Sequence, residues 1–488
     1  MTHLTNKTLA LLACFAAAGT TLGAQERASR ENAPKPALTF TAVTFSADDG
    51  ASTAADSAAL VAPMNRSNRL GGATVNISVL RFRSTSNKPG APIIYLSGGS
   101  GSGISAARSS RFPLFQELRQ AGDVVVFDLR GAGRSQPRLS CPSDARIPLD
   151  ATLSYEALVA LLRSNALACA DSLRRSGVDL AGFNLRETIE DIDAIRRGLG
   201  VELVQLVGIS TGSQIGLEYL RRYARHVSHA VLAGVQGPDQ LIDLPSDQER
   251  VVRELSDRLR KPGDNADQSA KTDLFTAARD VIETLAATPA TVRIVDRRTG
   301  DSVTVRLGAL DAQLLISATL GNRQQMKMLP AMFGAAAQGD YAPLAAFKSE
   351  ASRRGINSAF EALQDCQTGV SADRVAARAS EAKSSLLGRG TLDFPEHCDG
   401  WGVSLLDESW RRPVRSTASV LLISGTLDGR TSVRSAEAVL DGLPNGIHLV
   451  VEGASHGDDL FLSTPDINRT ILSFLRGGRA RELLTEVR

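Results

Sequence analysis

The segment Gly208-Ile209-Ser210-Thr211-Gly212 follows an apolar run at 203–207 and precedes a helical pattern at 213–225. A serine at the end of a strand, with glycine two positions to either side, can turn sharply enough into a helix to expose its hydroxyl. The chemistry this predicts is nucleophilic attack by Ser210 on a carbonyl carbon; the plainer alternative is a strand-to-helix turn with a capping serine. A hydroxyl needs a base to take its proton, and the base needs a carboxylate to orient it. Of the six histidines, His3 lies in the amino-terminal apolar segment, His226 and His229 just past the helix, His397 beside Cys398, and His448 inside a strand pattern. His456 remains, in the glycine-bearing loop Glu452-Gly453-Ala454-Ser455-His456-Gly457, and is the candidate base. The run Val420-Leu421-Leu422-Ile423 leads into Ser424-Gly425-Thr426-Leu427-Asp428, which makes Asp428 the candidate acid. Asp458 and Asp459 sit too near His456 in the chain to be the first choice.

Acyl transfer also needs donors aimed at the developing oxyanion. The backbone N–H of Thr211, next after the nucleophile, is one candidate. The other is the N–H of Gly99, with Ser100 as the alternative, in the loop Ser97-Gly98-Gly99-Ser100-Gly101-Ser102-Gly103. That loop lacks both the spacing and the lysine of a phosphate-binding loop.

These residues need strands ending at one edge of a sheet. Short β-branched runs recur at 75–82, 93–96, 124–127, 203–207, 230–235, 420–423 and 447–451, without strict alternation, as in buried parallel strands. Helical patterns lie between them at 186–199, with a Thr188-x-x-Asp191 start signal, and at 213–225. The expected fold class is therefore α/β, a mostly parallel, doubly wound sheet. The alternation breaks at 238–412, read as an inserted, mainly helical cap, with helices at 248–260, 271–287 and 375–387 and a hairpin at 292–307. Residues 39–237 and 413–488 form the two parts of the core, and 261–269 reads as a mobile surface loop.

Residues 1–24, with Lys7 ahead of an apolar run that ends in small residues, read as a secretory signal peptide, and 25–38 as a flexible leader. The apolar run is too short for a lasting membrane span, and the stretch before Cys14 is too short for a lipid anchor. The protein is thus expected to be exported, periplasmic or secreted. Cys141, Cys169, Cys366 and Cys398 then remain, an even number that suggests two disulfides in an oxidising compartment. Three connectivities are open; the sequence-near pairs, Cys141 with Cys169 and Cys366 with Cys398, are favoured over the others and over free thiols. A net charge of +2 without a long basic run gives no electrostatic reason to expect nucleic acid as a partner.

With these residues assembled, the chain resembles the secreted proline iminopeptidase and tripeptidyl aminopeptidase group of α/β-hydrolases. The likeness rests on Gly98-Gly99, Asp128-Leu129-Arg130-Gly131-Ala132-Gly133-Arg134-Ser135, Thr188-Ile189-Glu190-Asp191-Ile192, the segment around Ser210, Gly425-Thr426-Leu427-Asp428 and Ala454-Ser455-His456-Gly457. The resemblance implies the α/β-hydrolase fold, a Ser210, Asp428 and His456 triad, a helical lid over the site, and no metal or organic cofactor. It implies an aminopeptidase acting on short peptides, with acidic lid groups to hold the substrate's ammonium. The segment 128–135 is read as structural, a turn held by its own ion pair. The family commonly carries His-Gly-Gly-Pro-Gly where this chain has Ser97-Gly98-Gly99-Ser100-Gly101, and an aromatic residue where it has Thr211. Both positions border the acyl pocket, so the runner-up is a carboxylesterase or amidase acting on a non-peptide small molecule.

Overall fold

Alternate residues of the central strands enter two separate apolar cores. Ile94, Leu96, Val125 and Phe127 pack on one face of the sheet, and Ile93, Tyr95, Val124 and Val126 on the other. That period of two with both faces covered is why the strands read as unbroken apolar runs. The computed structural model describes residues 38–68, 72–141, 146–260, 273–354, 359–389, 396–478 and 485–486. The expected signal peptide, all but the last residue of the leader, and the loop 261–269 lie outside the described residues.

The strands are β1 (Thr41–Ser46), β2 (Ser52–Pro63), β3 (Thr74–Phe82), β4 (Ile93–Leu96), β5 (Val124–Phe127), β6 (Val204–Ser210), β7 (Val227–Val235), β8 (Ala290–Val295), β9 (Ser302–Leu307), β10 (Ser419–Gly425), β11 (Gly446–Glu452) and β12 (Thr485–Glu486). Ten of them form one sheet in the order β1-β2-β3-β5-β4-β6-β7-β10-β11-β12. Pairing is antiparallel from β1 through β3 to β5 and parallel from there to β12. The expected α/β sheet is present, with an antiparallel flank.

Between β7 and β10 the chain leaves the sheet and forms a helical cap. Its helices include Pro245–Arg260, Leu274–Ala287, Ala309–Thr319, Leu329–Ala337, Ala342–Arg354, Ala359–Thr368 and Ala372–Glu381, with β8 and β9 as an antiparallel hairpin. The cap has an apolar core of its own, built on residues such as Val251, Leu285, Leu315 and Phe333, and Leu427 of the main core inserts into it. Both favoured disulfides form, Cys141 to Cys169 and Cys366 to Cys398. Among the described residues no helix is long and apolar enough to cross a membrane.

Three local expectations are corrected. The helix expected from a Thr188 start signal begins earlier, at Leu185, because Asn184 is the cap and accepts from the Glu187 N–H at 3.0 Å. Thr188 is already helical and donates its hydroxyl to the Asn184 carbonyl. The helix expected at 375–387 spans Ala372–Glu381, started by Ser371, and gives way to turns. The Asp128 and Arg130 ion pair does not form: Arg130, fully buried, instead grips Asp191 through Nε and Nη2, both at 2.8 Å.

Candidate active site

Ser210 is the last residue of β6 and the cap of the helix Thr211–Tyr223, and its backbone stands at φ 55°, ψ −126°. A non-glycine residue there carries strain on the order of 1–3 kcal/mol, tolerated where the surroundings over-determine it. The flanking glycines allow the turn. A Cβ at Gly212 would lie 2.0 Å from the Leu96 carbonyl oxygen, and one at Gly208 would lie 2.6 Å from the Gly212 oxygen. The buried Ser213 hydroxyl braces the turn from behind, donating to the Ser210 carbonyl at 2.6 Å and accepting from the Gln236 N–H at 2.9 Å.

His456 follows β11 and Asp428 follows β10, so neighbouring parallel strands deliver both to the edge of the sheet that carries Ser210. The His456 Nδ1 to Asp428 Oδ2 distance is 2.8 Å. Asp428 is fully buried and also accepts from the N–H groups of Arg430 and Thr431 and from the Thr431 hydroxyl, each at 2.8 Å. Burial alone would push its carboxyl up, but the adjoining His456 and the His456 and Thr431 hydrogen bonds outweigh burial and hold it below the usual carboxylate value. Thr431 Oγ1 also stands 3.2 Å from His456 Nδ1. With Nδ1 committed to the carboxylate, Nε2 is the nitrogen left to accept a proton. Asp458 and Asp459 turn elsewhere: Asp458 to Arg111, and Asp459 to the N–H and hydroxyl of Ser455.

Ser210 and His456 line one cleft of about 520 Å³, together with Ser97, Gly98, Gly99 and Ser100. Among the described residues no direct Ser210 to His456 hydrogen bond is present, as is common before substrate closes such a site. The glycine loop is held from below by Asp128. Its Oδ1 accepts from the Ser102 hydroxyl at 2.7 Å and the Ile104 N–H at 3.0 Å, while Oδ2 accepts from the Arg134 N–H at 2.8 Å. The segment 128–135 is therefore structural as expected, but it acts as a cradle for the glycine loop.

Two features escaped the reading of the sequence. Glu361, in the cap helix Ala359–Thr368, reaches the glycine loop: a Cβ at Gly99 would lie 2.5 Å from its Oε1. Arg111 joins the far wall of the cleft, with Nε 2.7 Å from Asp458 Oδ1 and Nη1 donating to the Tyr95 hydroxyl. Neither stands in a motif, and each meets partners hundreds of residues away in sequence, so no local pattern could have found it.

A doubly wound sheet, a strained serine at the turn after its central strand, and a helical insertion before β10 define an α/β-hydrolase. A family model described as "alpha/beta hydrolase fold" matches residues 91–458, most of the chain, and the chain belongs to that family. Among curated relatives, "Serine protease Hip1" of Mycobacterium tuberculosis is 29% identical over 176 residues, 34% of this chain and 34% of that protein. "Tripeptidyl aminopeptidase" of Streptomyces coelicolor is 30% identical over 161 residues, covering 31% of this chain and 28% of that one. The chain thus spans about a third of the length of the curated relatives it matches. The solved proline iminopeptidase of Mycobacterium smegmatis aligns over 86% of this chain and 98% of its own, at 15% identity and a TM-score of 0.40.

Proposed function

We propose that this protein is an exported serine aminopeptidase that releases amino-terminal residues or short peptides through an acyl-enzyme. The observation that carries the reading is Ser210 at φ 55° in a cleft shared with His456, whose Nδ1 is 2.8 Å from the buried Asp428. Ser210 attacks the carbonyl and passes its proton to His456 Nε2, and Asp428 stabilises the imidazolium. The N–H groups of Thr211 and Gly99 hold the oxyanion. His456 then gives its proton to the departing amine and later activates the water that frees the acyl group.

The amine specificity rests on the resemblance to the proline iminopeptidase and tripeptidyl aminopeptidase group. Export rests on the composition of residues 1–24, and the two disulfides fit an oxidising compartment.

Ser210→Ala is expected to lower kcat by a factor of about 10³ or more and to abolish labelling by a fluorophosphonate probe. Full activity in that variant overturns the mechanism. Aminoacyl nitroanilides, their N-acetylated forms and short-chain nitrophenyl esters separate the two substrate readings. Hydrolysis lost on N-acetylation supports the aminopeptidase, whereas turnover of the esters alone supports the carboxylesterase.

A further inference from the structure

The proton that His456 delivers goes to the leaving atom, so the leaving group must lie against His456 and the wall beyond it. That wall is Asp458, two residues along the same loop, with Arg111, Ser109 and Ser110 from the first half of the core. Arg111 Nε bonds Asp458 Oδ1 at 2.7 Å, and the Ser110 hydroxyl donates to Asp458 Oδ2. Its Nη1 meets the hydroxyl of the fully buried Tyr95, one residue before the end of β4 and four before Gly99. The guanidinium is thereby fixed from two sides and its side chain is 17% exposed, at the cleft. Its Nη2 points past Gly457, 4.0 Å from where a Cβ of that residue would stand, and makes no hydrogen bond among the described residues.

This wall suits one kind of leaving group. A carboxylate would find a pre-oriented guanidinium whose Nη2 is left to donate one charge-assisted hydrogen bond. Asp458 bonds the arginine and Asp48 lines the same cleft, and these carboxylates limit how long a released anion is held.

We infer that Arg111 receives the carboxylate of a short leaving group, so that the preferred substrates are short peptides with a free carboxyl terminus; this rests on the serine-hydrolase reading above. Arg111 is then a specificity determinant on the leaving side.

The test compares alanine di-, tri- and tetrapeptides as free acids with the same peptides as carboxyl-terminal amides. The wild type is expected to cleave at least one free acid with kcat/KM about tenfold or more above its amide, the size of one charge-assisted contact. Arg111→Gln is expected to bring that ratio close to one, whatever loss both substrates share. A wild-type ratio near one at every length overturns the assignment without any variant, and so does an Arg111→Gln enzyme that keeps the ratio. Both results leave the aminopeptidase reading intact if the peptides are cut. If neither form is cut while the fluorophosphonate still labels Ser210, the peptide reading falls and this assignment with it.

Discussion

Asp428 accepts four hydrogen bonds while wholly out of contact with water, and one of the donors, the Thr431 hydroxyl, also stands beside His456 Nδ1. Because the folded state holds this carboxyl below its usual value, Asp428 adds stability that is fully present above the unfolded value of about 3.9 and is lost as pH falls through the folded value. Thr431→Val removes a donor and raises the folded value. The acid unfolding midpoint, followed by circular dichroism between about pH 5 and pH 2, should therefore move to higher pH, with Thr431→Ser close to wild type. The turn that bears Ser210 was legible because it needs a local pattern, glycine and strand before, glycine and helix after. His456 was reached by elimination and Asp428 by chain order. Glu361 and Arg111 were not legible, since what defines them is contact across the fold.

The cap helix that carries Glu361 is tied down by a succession of links. Cys366 in that helix bonds Cys398, which opens the turn Cys398–Trp401. The Trp401 side chain is buried, and its carbonyl accepts from Arg174 at 2.6 Å, at the end of the helix Tyr155–Arg175. Cys169 of the same helix bonds Cys141, in the chain that leaves β5. Replacing Cys366 and Cys398 by serine should cost about 3–4 kcal/mol in denaturant unfolding, on the loop-entropy account. The core strands were legible because burial on both faces makes each an unbroken apolar run. β1 and β2 were not, because Ser52–Pro63 is largely alanine and serine, a composition with weak strand preference, and its pairing comes from β3 alongside it. The misplaced helix start has a similar cause: Asn184 and Thr188 are both good caps, and only the observed bond to Glu187 separates them.

At the scale of the molecule, the cap and the sheet share one residue that matters to the site. Leu427 precedes Asp428 directly, yet its side chain lies in the cap's apolar core, and the next residue, Gly429, donates its N–H to the cap's Leu320 carbonyl at 3.2 Å. Leu427→Ala should cost about 2–5 kcal/mol as a core truncation. Heat inactivation and loss of cap structure are expected to coincide in the wild type, and activity in the variant should fall at a lower temperature. Activity that outlasts melting of the cap helices would show the Asp428 loop to be independent of them. That the chain is one sheet with a long insertion was plain from the interruption of the strand and helix alternation. That the insertion grips the loop bearing Asp428 was not, because leucine before aspartate says nothing about which core will claim it.

Leu427 also sets a rule for building chimeras. Caps are the natural parts to exchange when a new substrate is wanted, and the obvious cut points lie where the chain leaves β7 and re-enters before β10. A transplant made there would bring in a foreign apolar core with no socket shaped for Leu427, and the misfit would be felt one residue away, at the carboxylate that orients His456. A working graft must therefore carry the recipient's residues around Leu320 with it, or redesign Leu427 to suit the donor, even though neither residue lines the cleft.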